Sequence, residues 1–269
     1  MRRSHPPPGG FLALPALLVL ASCAHGWKGP LPDAVALWDQ TRAAHRLPET
    51  LSGEAKAFVD APENGGRYGL NLAVKKPRSI RIEALTPLGD PAAVLIATEG
   101  RFALLDLRSD VFYRGPSTPE NLSRLLPAPL RDDELVALLT GGIPELPSAQ
   151  PVEVRRDGGD LRLVLSTVPP GAVNARGYEQ EVVLGDDLRV KEVRRSLVGG
   201  ARPELLWSVQ LDEHDGASGQ QIPRLLHLVV PGRRTEVDLR LRDLLVGKPP
   251  PANAFALLPP PGIPVRELP

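Results

Sequence analysis

Over most of its length this sequence places apolar side chains at every second position. Ile80, Ile82 and Ala84 oppose Arg81 and Glu83; Leu161, Leu163 and Leu165 share one face. Leu205, Trp207, Val209 and Leu211 share another, and Val237, Leu239 and Leu241 a third. A period of two is the signature of strands with one face in the core. Gly158-Gly159, Gly185-Asp186-Asp187 and Gly199-Gly200 stand where tight hairpin turns are needed. Strands joined so closely form an antiparallel meander, because parallel pairs need a long crossover. The pattern predicts strands over 51–59, 67–75, 78–85, 101–106 and 110–114. Residues 91–98 form a continuous apolar run, and about five more strands follow between 151 and 243. So many strands in one sheet cannot lie flat; their twist curls them into an open or closed barrel.

Two interruptions are helical. Asp33 to Ala44 carries an apolar stripe from Val35 and Trp38. In the middle, Thr118-Pro119-Glu120 is a helix start leading into Leu122, Leu125 and Leu126. After Pro127 and Pro129, Asp132-Asp133-Glu134 opens another helix, where the dipole favours acidic groups. Its apolar face is Leu135, Leu138 and Leu139, and Gly141-Gly142 ends it. The fold class is α+β: a long antiparallel sheet curled into a barrel, with helices on or in its concave face.

The N-terminus has a different character. Met1-Arg2-Arg3 is positive, Phe11 to Leu20 is apolar, and Leu20-Ala21-Ser22-Cys23 follows at once. The apolar run is too short to span a bilayer, which takes about 20 residues, and reads as a secretion signal. The four residues ending at Cys23 resemble the bacterial lipobox, in which the cysteine thiol receives diacylglycerol and becomes the first mature residue. Cys23 is the only cysteine in the chain, so no intramolecular disulfide can form in an oxidising compartment. Ala24 is not the Asp that retains such lipoproteins at the inner membrane, so the outer membrane is the expected destination. The organisation is then a signal peptide over 1–22, a lipidated tether over 23–32, a folded domain over 33–246 and a proline-rich tail over 247–269.

Composition narrows the function. The chain has 32 basic and 32 acidic residues, and the signal removes Arg2 and Arg3 but no acid. The exported protein is thus slightly acidic, with no footprint for nucleic acid, and 4% aromatic content argues against a stacking surface. His25, His45, His214 and His227 fall in no zinc-ligand spacing. Asp212-Glu213-His214-Asp215 reads as a solvated hairpin loop, and His227 as a core or rim histidine. There is no nucleophile elbow or phosphate loop, and helix capping accounts for the Asp132 to Glu134 run. No enzyme, metal or cofactor is expected.

Two stretches, with the order of elements over 33–245, carry a wider resemblance: Leu85-Thr86-Pro87-Leu88-Gly89 with the apolar run behind it, and Ala128 to Gly141. The chain resembles the LolB-type outer-membrane lipoproteins and the related LolA/LolB-like half-barrel superfamily. The resemblance implies an open half-barrel that shields acyl chains in an apolar cavity. Such a protein accepts lipoproteins from a periplasmic LolA-type carrier and inserts them into the outer membrane. Leu88 matches a protruding leucine tied to delivery, the alternative being a loop leucine folded back on the rim. Leu122, Leu125, Leu135, Leu138 and Leu139 are candidates to plug the cavity, or ordinary helix-to-sheet packing. The tail is longer and richer in proline than the family ending. An alternative function from the same fold is a lipid-anchored protein-interaction, envelope-sensing or assembly module.

Overall fold

A computed structural model describes residues 26–62, 65–172, 175–216 and 221–269; residues 1–25, and with them Cys23, lie outside it. Helix α1 (Ala34–Ala44) is followed by six strands, β1 (Thr50–Asp60), β2 (Gly66–Lys75), β3 (Ser79–Leu85), β4 (Pro91–Thr98), β5 (Arg101–Asp106) and β6 (Val111–Pro116). Helices α2 (Pro119–Leu122) and α3 (Asp132–Leu139) come next. Then follow β7 (Gln150–Asp157), β8 (Asp160–Ser166), β9 (Gly177–Leu184), β10 (Val190–Val198), β11 (Glu204–Asp212), β12 (Leu225–Val230) and β13 (Thr235–Val246). A short β14 (Val265–Glu267) closes the chain. The second half thus holds seven strands before the tail rather than about five, because the run from 177 to 246 folds into more hairpins than its glycine turns mark.

All fourteen strands form one sheet, ordered β14-β6-β5-β4-β3-β2-β1-β13-β12-β11-β10-β9-β8-β7. The sheet is curled and does not close, an open half-barrel. Its two meanders meet at an antiparallel seam, where Ala55 lies opposite Leu241 and Val59 opposite Val237. Because β1 and β13 pair in the middle, β6 and β7 fall near opposite ends of the sheet. The segment between them, which carries α2 and α3, therefore crosses the open side from one edge to the other.

α1 starts with Asp33, whose carboxylate accepts from the backbone N–H groups of Val35 and Ala36, and it buries Leu37 and Thr41. α2 is a single turn capped by the Thr118 hydroxyl, so Leu125 and Leu126 lie in the irregular chain beyond it. α3 is held at its start by buried acids. Asp132 pairs with Arg78 from the β2–β3 turn (3.0 Å), and Glu134 pairs with Arg195 of β10 (3.0 Å) while accepting from the Arg131 N–H. The acidic run therefore anchors α3 to the sheet as well as capping it. On β11 a register shift opposite Arg195/Ser196 moves the apolar phase by one residue, so Leu206 rather than Leu205 packs against the core.

The tail is not loose. It leaves the seam with the Thr50 hydroxyl donating to the Lys248 carbonyl, and Arg81 donates to the Ala254 carbonyl on the outer face. Leu257 and Ile263 then cover Val94, Leu105 and Phe112. Finally β14 pairs in parallel with β6. Gly115 makes this approach possible, since a Cβ there would stand 2.7 Å from the Leu268 carbonyl oxygen. The apolar run of β4 is continuous because both faces are covered, one by the concave interior and one by the tail. At the other end of the chain, Trp27 donates to the Gly159 carbonyl, and Arg156 donates to the carbonyls of Trp27 and Gly29. Residues from Trp27 to Gly29 are thereby pinned to the β7–β8 hairpin.

Candidate functional site

The concave face is filled unevenly. On the β8–β10 side, Leu161, Leu163, Val182, Leu184 and Val193 pack solidly with Trp207. On the other side small residues line the floor: Ala57 on β1, Ala84 on β3 and Ala92 and Ala93 on β4. They leave a cavity of about 730 Å³, inside the range of about 300–1,000 Å³ typical of small-molecule sites. Val59, Leu70, Leu72, Ile82, Leu104 and Leu239 complete the aliphatic floor. The crossing segment supplies the roof with Leu125, Leu126, Leu130, Leu135, Leu138 and Leu139. A space lined mainly by aliphatic side chains suits hydrocarbon.

Of the five leucines singled out in sequence, Leu125, Leu135, Leu138 and Leu139 border the cavity. Leu122 does not; as the last residue of α2 it is wholly buried in the core. Leu88 lies in the β3–β4 loop and is 91% exposed, so it does not fold back on the rim. The loop is tight: the Thr86 N–H donates to the Asp90 carbonyl at 2.7 Å and the Gly89 N–H to the Thr86 carbonyl at 2.9 Å. Gly89 permits it at φ 93°, a left-handed conformation costly for other residues. Leu85 and Ala92, on either side of the loop, both line the cavity, so Leu88 projects from its rim.

Charged residues reach the cavity only at its edges: Asp106 and Arg108 at the β5–β6 turn, Arg124 after α2 and Arg233 between β12 and β13. Asp106 loses solvent, which pushes its pKa up. The opposing hydrogen bonds from the Ser109 hydroxyl and the N–H groups of Arg108 and Ser109 outweigh that and hold it below the ordinary carboxylate range. The arginines were not distinguishable in sequence, since only the curl brings three distant loops to one rim.

The histidines do no comparable work. His214 is half-buried rather than solvated, its Nε2 donating to the Val190 carbonyl at 3.0 Å. Burial lowers its pKa, against the upward pull of that bond. His227 faces outward and meets Asp238 at 2.8 Å. Among the described residues no group of three or more His, Cys, Asp or Glu could hold a metal ion.

No family model and no curated protein matches this chain. Solved structures do. An outer membrane lipoprotein-sorting protein domain from Vibrio parahaemolyticus superposes with a TM-score of 0.59 at 11% identity, over 83% of this chain and 96% of that one. A DUF1329 family protein from Desulfovibrio piger gives 0.58 at 11%, over 83% and 98%. A LolA superfamily protein from Nitrosomonas europaea gives 0.56 at 10%, over 84% and 99%. At such identities the likeness is one of fold, and it extends over nearly the whole of each neighbour. The chain has the open half-barrel fold seen in LolA superfamily and lipoprotein-sorting domains.

Proposed function

We propose that this protein is a lipid-anchored acyl-chain carrier that receives lipoproteins and helps insert them into the outer membrane. The aliphatic cavity of about 730 Å³ is the observation that carries this reading. Each methylene moved from water into such a site is worth about 0.8 kcal/mol, so a cavity of this kind can hold an acyl chain that a soluble carrier must otherwise leave exposed. The fold shared with lipoprotein-sorting domains supports the same class of ligand. Diacylglyceryl-Cys23 would hold the protein at the periplasmic face of the outer membrane. Leu88 would be a second, reversible contact, gaining roughly 1.5–3 kcal/mol on entering lipid. No catalytic step is needed, because an acyl chain passes down a series of sites of increasing affinity.

The test uses an acylated lipopeptide loaded onto the mature chain and followed into vesicles. Wild-type protein should bind the lipopeptide and release it to the membrane. Leu88→Glu should bind as well but transfer roughly ten- to a hundred-fold more slowly, the rate equivalent of the lost insertion energy. Unchanged transfer would remove Leu88 from the mechanism. Failure of the wild type to bind any acyl chain would remove the carrier function and favour a lipid-anchored protein-interaction module on the same scaffold.

A further inference from the structure

The cavity has an aliphatic interior and a cationic rim. Arg108, Arg124 and Arg233 come from three separate loops and all three border it. None makes an ion pair within 4 Å among the described residues; on the strands Arg114, Arg155, Arg162 and Arg240 are matched by carboxylates, while Arg67, Arg101 and Arg242 are not. Arg124 lies over the Tyr113 ring at 4.9 Å, which holds the guanidinium in place without neutralising it. Among the described residues the carboxylate bordering the cavity is Asp106, which accepts from the turn that it closes and feels the Arg108 charge beside it. Guanidinium groups that make no ion pair among the described residues, at the edge of a hydrocarbon-lined cavity, complement a ligand with an apolar chain and an anionic head.

We propose that the cavity binds amphiphiles with a net anionic headgroup more tightly than uncharged ones. The acyl chain occupies the alanine-floored interior, and the headgroup is held at the rim by Arg108, Arg124 and Arg233. This rests on the cavity taking acyl chains, the neutral ones of a lipoprotein included, and adds a preference for charge at the head. Each arginine near the headgroup contributes through a screened, partly exposed contact, so together they should give a preference of roughly tenfold or more at low salt.

Calorimetric titration of the mature chain carrying Cys23→Ser tests this, since that change keeps every described residue and removes the need for detergent. Three probes separate the contributions: a lysophosphatidylglycerol, a monoacylglycerol with the same chain, and glycerol phosphate with no chain. The anionic lipid should bind at least about tenfold more tightly than the neutral one, with the difference shrinking as salt rises. Glycerol phosphate should not bind detectably. The triple variant Arg108→Gln, Arg124→Gln, Arg233→Gln should keep wild-type affinity for monoacylglycerol, which shows that it is folded, and should lose the preference. Equal binding of the two lipids by the wild type overturns the inference, as does a preference that survives the triple variant. Glycerol phosphate binding as tightly as the lipid would make the ligand a free phosphate ester, which also overturns it. If neither lipid binds, the acyl-chain reading itself falls.

Discussion

Replacing Arg195 by Met should loosen the roof of the cavity and lower stability by about 3 kcal/mol. Arg195 is 5% exposed and Glu134 2%, with Nη1 of one 3.0 Å from Oε1 of the other. The guanidinium also donates to Gln180 through Nε at 3.1 Å and through Nη2, and sits 5.1 Å from the centroid of the Trp207 ring. Burial pushes the Arg195 pKa down, against the opposing pull of Glu134. Removing one partner of a buried pair costs about 3–5 kcal/mol, because the other charge is left in a poor solvent. The lower end applies, since Arg131 remains 3.2 Å from Glu134. For a domain of this size that is a fall in Tm of about 6–12 °C. Adding Glu134→Gln should recover part of the loss, since a buried amide is cheaper than a buried carboxylate and can still accept from the Arg131 N–H. Urea unfolding followed by Trp fluorescence measures all four corners of the cycle. A loss below about 1 kcal/mol for Arg195→Met, or strict additivity in the double variant, would refute the reasoning.

Two further changes probe other parts of the molecule. Truncation after Gly247 should expose Val94, Leu105 and Phe112 and free the edge of β6, so the shortened protein should self-associate in sedimentation more strongly than the full chain. The depressed pKa of His214 favours its neutral form in the folded state, so its contribution to stability is complete above about pH 6.5 and is lost as pH falls through the folded pKa. His214→Gln should flatten that part of the pH profile of the urea midpoint, and an unchanged slope would assign the dependence elsewhere.

The architecture could be read from alternation because each strand buries one face; even the β4 run, buried on both, stood out by its lack of polar residues. Among the roof leucines Leu135, Leu138 and Leu139 followed from helical spacing in α3, whereas Leu125, Leu126 and Leu130 lie in irregular chain. Long-range pairing was hidden. Nothing in Ala55 or Leu241 announces that they meet, so neither the seam nor the identity of the edge strands was visible. The bulge on β11 turned Leu206 against the core, a one-residue slip that strict alternation cannot anticipate. Arg195 looks like a surface residue in Glu192-Val193-Arg194-Arg195, and only Glu134 from a distant helix shows why it is inside. The tail was read as proline-rich chain because its structure comes from the sheet surface beneath it.

The crossing of the α2–α3 segment from β6 to β7 has a mechanical consequence. A curled sheet is an arc, and a chain joining its two ends is the chord; chord length limits how far the arc can flatten. With α3 clamped to the β2–β3 turn and to β10, the slack in that chord is confined to the stretches on either side of the helix. Lengthening residues 141–149 should let the arc relax and admit bulkier guests, and shortening them should tighten it. The girth of what this protein can hold is thus set less by the strands that form its wall than by the connection that ties their ends together.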